Sequence, residues 1–144
     1  MIEQDTIRLL RECDSGIKMG ISAINEVMDD VKSGELKGIL NESLSTNENL
    51  QTDLRKLLQT YHDDGKEPNP MVKGMSWFKT KVKLTADNSD STIAELMIDG
   101  CNIGVKSLSR YLNQYKAADE HSKELAGHLI SAEEKLSVTM RQFL

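Results

Sequence analysis

Aromatic residues are scarce in this chain, at 4% of its residues, and proline occurs only twice, at Pro68 and Pro70. A chain so poor in turn formers and ring-bearing side chains is badly equipped for a sandwich or barrel and favours long helices. There are two cysteines, Cys13 and Cys101, with no C-x-x-C spacing, which removes a zinc ribbon or a dithiol redox motif from consideration. They read as small reduced side chains packed in a core. No apolar run approaches the roughly 20 residues of a membrane span. The first residues lack the basic start and apolar stretch of a signal peptide, so the expectation is a cytoplasmic protein. Positive charge is also short: 18 basic residues against 23 acidic give a net charge of −5, which argues against a general affinity for nucleic acid. There is no Gly-rich phosphate loop, no nucleophile motif and no Glu-x-x-His.

What the chain does have is near-repetition. Cys13-Asp14-Ser15-Gly16-Ile17-Lys18 returns 88 residues later as Cys101-Asn102-Ile103-Gly104-Val105-Lys106. Each lysine is followed seven residues on by an asparagine, Asn25 and Asn113. A second echo, at a spacing of 86, links Leu44-Ser45, Glu48, Leu50 and Arg55 to Ile130-Ser131, Glu134, Leu136 and Arg141. Two echoes at nearly one spacing imply two halves of similar build.

The apolar periodicity is helical throughout. Ile7, Leu10, Ile17, Ile21, Ile24, Met28 and Val31 form one stripe. Ser33-Gly34 interrupts it. Leu36, Leu40, Ser43, Asn47, Leu50, Leu54, Leu57 and Tyr61 form a second, ended by Asp63-Asp64-Gly65. At 1.5 Å per residue each helix would run roughly 40 Å, and the short turn makes them an antiparallel hairpin spanning about 3–64. A connector follows over about 65–90. Within it Met71, Met75, Phe78 and Val82 predict a shorter helix from Pro70 to about Ala86, capped by Asn69. The second hairpin, about 91–144, opens with a capping-box pattern at Thr92-x-x-Glu95. Its first helix carries Leu96, Ile98, Val105, Leu108, Leu112 and Tyr115. Asp119 caps its second, which carries Leu125, Leu129, Leu136, Met140 and Phe143. The fold class expected is therefore all-α over residues 1–144 as one domain, a four-helix bundle of two hairpins joined by a long crossover, the arrangement of ferritin-like bundles.

Placing the repeat on these stripes predicts a polar layer. Asp14 falls on the first stripe and Asn102 is its counterpart. Asn47 falls on the second and its counterpart is Glu133. Each helix then offers one carboxylate or carboxamide near mid-length. Buried polar groups must be hydrogen-bonded, paired or metal-bound. Di-iron bundles use this layer for metal, with histidines beside the carboxylates. Here His62 and His121 sit at helix ends and His128 lies off the inward stripe. The favoured expectation is a hydrogen-bonded layer that fixes helix register, with no cofactor. The alternative is a carboxylate site in which Asp14 and Glu133 hold iron or manganese. The repeated Gly16 and Gly104 suggest close helix approach or room for a neighbouring side chain.

The segments Leu10 to Ile17 with its Asp-x-Gly, Lys32-Ser33-Gly34-Glu35-Leu36-Lys37, Met75-Ser76-Trp77-Phe78-Lys79 and Asp99-Gly100-Cys101 together resemble a small bacterial family of unknown function in the ferritin-like superfamily. The resemblance implies the ferritin-like bundle and no established reaction. In that family the residue after the third-helix glycine is typically Glu, where this chain has Cys101.

In the connector, Lys73, Lys79, Lys81 and Lys83 lie beside Trp77 and Phe78. Such a segment can dock on acidic membranes or phosphates. The favoured reading is a connector helix covering the bundle with its lysines in water. The functional expectation is thus a non-catalytic binding or structural module. A homodimer remains open, a protein partner is not identified, and neither nucleic acid nor membrane is expected as a partner.

Overall fold

The computed structural model describes residues 2–67 and 89–144. The expected connector helix, together with Lys73, Lys79, Lys81 and Lys83, lies outside the described residues. Four long helices account for nearly all of the rest: α1 (Ile2–Met28), α2 (Gly34–Thr60), α3 (Asp90–Gln114) and α4 (Glu120–Met140), the last followed by a 3-10 turn, Arg141–Phe143. There is no strand among the described residues. No helix among them is long and apolar enough to cross a membrane.

The helix boundaries follow local chemistry. Ser33 caps α2, its hydroxyl accepting from the Leu36 N–H at 3.2 Å. Asp119 caps α4 as the spacing predicts, accepting from the Ser122 N–H at 2.8 Å. The cap of α3 is Ser89, whose hydroxyl accepts from the Thr92 N–H at 3.2 Å. The Thr92-x-x-Glu95 pattern predicts the cap one turn later, at Thr92. Ser89 wins because it starts the helix a turn earlier, which brings Asp90 to the α1–α2 turn. There the Asp90 carboxylate accepts from the Lys32 and Ser33 N–H groups at 2.8 and 2.9 Å. At the end of α2, His62 adopts a left-handed backbone (φ 55). Its N–H bonds to the Gln59 carbonyl, and the Asp63 N–H reaches back to the Leu58 carbonyl, both at 3.0 Å. This is a Schellman closure, a place usually given to glycine.

Burial refines the stripes. On α1 the buried positions are Thr6, Leu9, Leu10, Cys13, Asp14, Ile17, Ala23, Ile24 and Val27. They recur at threes and ones rather than along the Ile7–Leu10 line, so the buried face is broad. The reason is that α1 packs against all three other helices, whereas α3 packs against α1 and α4. The core divides into two apolar clusters. One holds Ile24, Val27, Leu36, Leu40, Ile93, Met97 and Met140. The other holds Leu9, Leu10, Ile17, Leu54, Leu58, Leu108 and Leu129. The chain crosses between them through half-buried Asn47 on α2 and Gly104 and Glu133 on α3 and α4.

Candidate functional site

The four residues of the expected polar layer meet different fates. Asp14 is buried at 1% exposure. Asn47 is half-buried, and its amide lies 3.6 Å from where a Cβ on Gly20 would stand. Glu133 is half-buried as a residue, but its Oε2 is fully enclosed. Asn102 is exposed, contrary to the expectation. The repeat aligns the two cysteines, and both are buried and free. One residue further on, the environments part. Position 14 is covered by chain from beyond α2, whereas position 102 on α3 is exposed. The layer is therefore a pair of separate arrangements around Asp14 and around Glu133.

Asp14 lies beneath a strap formed by residues 62–67. Its Oδ2 accepts from the Lys18 ammonium at 2.8 Å, one helical turn on, and from the Lys66 N–H at 3.0 Å. Gly65 sits directly above with φ +88, where a Cβ would stand 2.2 Å from the same oxygen. Only glycine satisfies both the left-handed backbone and the contact. Around this centre, α1 and the strap alternate in charge. Arg11 donates to both Asp63 oxygens, Lys66 pairs with Glu12 at 2.6 Å, and Lys18 pairs with Glu67 at 3.0 Å. The Arg11 hydrogen bond holds the Asp63 carboxyl below its ordinary range. Burial works to lower the Lys18 pKa, but hydrogen bonds to Asp14 and Glu67 outweigh it and leave the pKa raised. Lys18 therefore stays a cation, and the Asp14 carboxylate is already neutralised.

Glu133 is the opposite case. Its carboxyl rests in a notch made by Gly104, where a Cβ would stand 2.2 Å from Oε2. The repeated Gly104 thus makes room for a neighbouring side chain. Among the described residues nothing lies within 4 Å of where a Cβ on its counterpart Gly16 would stand, so close approach of the four helices does not explain it. Glu133 Oε2 finds no hydrogen-bond partner among the described residues. Burial pushes its pKa up to about 8, because a charge removed from water is costly. At neutral pH the side chain is mostly the neutral acid. Its charged form would act on both thiols. Cys13 is pushed up to about 12 by burial, then by the charges of Glu12, Asp14 and Glu133. Cys101 is pushed up to about 12 by burial and then by Glu133. Both thiols are protonated at neutral pH and poor nucleophiles.

For cation binding the arrangement offers little. No group of three or more His, Cys, Asp or Glu that could hold a metal occurs among the described residues. His62, His121 and His128 are all exposed. Helical periodicity does not reveal Arg11, Lys66 or Gly65, or the role of Lys18. Their partners lie about 50 residues away, beyond the reach of periodicity; the Gly65 turn was the one available signal. No protein-family model, curated protein or solved structure matches the chain.

Proposed function

We propose that this protein is a non-catalytic binding or structural module on a ferritin-like four-helix bundle, two antiparallel hairpins joined by one crossover. In this reading the positions that metal-binding bundles give to ligands serve packing. The supporting contacts lie at the helix ends. Arg11 near the start of α1 meets Asp63 just beyond α2. The Asp119 N–H at the start of α4 bonds to Thr6 Oγ1 on α1 at 2.8 Å. Asp90 at the start of α3 meets the α1–α2 turn.

One observation carries the reading: Asp14, the most deeply buried carboxylate among the described residues, is held by an ammonium and a backbone N–H on a single oxygen. A divalent cation there would have to displace Lys18 or suffer its repulsion. Glu133, the second candidate ligand, is kept neutral by burial instead of being poised as an anion. The test is elemental analysis of natively purified protein, together with an assay for iron-dependent oxidase turnover. The reading expects sub-stoichiometric iron and manganese and no turnover. Turnover by the wild type that is lost in Asp14→Ala would overturn it.

A further inference from the structure

We propose that the Asp64–Gly65 step is a site of spontaneous covalent modification, where the chain closes to a succinimide and reopens to isoaspartate. The reaction is intramolecular. The Gly65 amide nitrogen attacks the carboxyl carbon of the protonated Asp64 side chain and an N–C bond forms. The nitrogen's proton and the carboxyl hydroxyl leave as water. Water then opens the ring at one of its two carbonyls. One opening restores aspartate; the other gives isoaspartate, in which the main chain runs through the side-chain carboxyl. No oxidant, cofactor or second protein enters.

The chain has two Asp-Gly steps, Asp64–Gly65 and Asp99–Gly100, and the fold treats them differently. Both aspartates are exposed, and neither carboxylate is held by a hydrogen bond or ion pair among the described residues. The difference lies in the backbone. Ring closure needs rotation about the Asp Cα–C bond until the next nitrogen faces the side-chain carboxyl carbon. Asp99 stands inside α3, where the helical ψ of about −42° is fixed by hydrogen bonds on both sides. Asp64 lies beyond α2 in no helix. Gly65 has no Cβ to shield its nitrogen. Its N–H donates to Asp63 Oδ1 at 2.9 Å, so the proton that must leave already rests against a carboxylate. The product does not fit the strap as it stands. Isoaspartate adds one methylene to the main chain just before Gly65, whose seat over Asp14 admits no added atom. The longer chain cannot keep both that seat and the Lys66 N–H on Asp14 at 3.0 Å. Asp14 retains Lys18 on its own helix. The modification therefore alters the cover of Asp14 without stripping its charge of a partner, and it stands whether or not the non-catalytic reading holds.

The experiment ages the full chain at neutral pH and body temperature, once native and once unfolded in urea. Isoaspartate is then mapped by fragment-ion mass spectrometry that separates it from aspartate. In urea both steps are expected to accumulate it, since the backbone no longer distinguishes them. In the native protein the Asp64 step is expected to accumulate it while the Asp99 step stays at its starting level. NMR of the aged native sample should show a second Lys66 amide resonance that grows with the isoaspartate fraction, with the Leu10 and Leu108 amides unmoved. A native Asp64 step that stays unmodified while the unfolded chain is converted would overturn the proposal. So would equal conversion at Asp64 and Asp99 in the native protein. A modified fraction whose Lys66 amide is unchanged would overturn the consequence drawn for Asp14.

Discussion

Replacing Glu133 by Gln should stabilise the protein by an amount that grows with pH. In the unfolded chain the carboxyl ionises near 4.5, and in the folded protein it holds its proton to about 8. A group whose folded pKa is raised in this way opposes folding once the unfolded chain can ionise. The penalty is absent below about pH 4.5, grows across the window to about 8, and is constant above it. At about 1.4 kcal/mol for each tenfold change, the full penalty is roughly 5 kcal/mol and the part present at pH 7 roughly 3 kcal/mol. Against a typical domain stability of 5–15 kcal/mol that is large. Glutamine has nearly the same shape and cannot ionise. Any cost of its own amide in the Gly104 notch is independent of pH and cancels from the slope. The assay is urea unfolding followed by far-ultraviolet circular dichroism from pH 4.5 to 8.5. The difference between Glu133→Gln and wild type should rise by roughly 3 kcal/mol between pH 4.5 and 7. A difference that stays constant across the range would refute the claim that this carboxyl is buried and neutral. Gly104→Ala supplies a second check. Its methyl would occupy the notch, expel the carboxyl toward water and flatten the same slope.

Other outcomes follow from particular contacts. His62→Gly should raise stability by about 0.5–1 kcal/mol in denaturant titration, because it relieves a left-handed backbone in an exposed residue. Asp119→Ala should cost about 1–2 kcal/mol by the same method, since it removes the α4 cap and the acceptor for the Tyr61 hydroxyl at 2.8 Å. Cys13 and Cys101 should resist a disulfide-exchange reagent at pH 8 in the native protein and react at the rate of unfolding; prompt native labelling would contradict their burial. Leu54→Ala, at a fully buried position, should cost about 2–5 kcal/mol.

The helices were legible because their signals are local. Apolar residues three and four apart marked all four, and Asp119 announced the start of α4. Asn102 shows where that logic stops. Its repeat partner Asp14 is buried, yet burial one position past the shared cysteine depends on what covers the helix from outside. No spacing within α3 encodes that difference. The Glu133 site was half legible: its position on the inward stripe and the repeated Gly104 were both visible, but their contact across two helices was not. The strap was hidden for a related reason. Arg11, Glu12 and Lys18 look like an ordinary solvated helix face, and only the path of the chain after α2 brings Asp63, Lys66 and Glu67 onto them. Ser89 took the cap from Thr92 because Asp90 gains two hydrogen bonds at the α1–α2 turn, a tertiary gain that local capping rules do not see.

The central claim is that the inward carboxylates are committed to packing, Asp14 by its ion pair and Glu133 by burial in a glycine notch. The most direct measurement is the thermal midpoint of the wild-type protein at pH 7 with and without excess Fe(II) or Mn(II) under anaerobic conditions. A metal that binds only the folded state at a hundred times its dissociation constant would add about 2.7 kcal/mol, a shift of several degrees. The account predicts no shift. A rise of several degrees that disappears in Asp14→Asn would contradict it.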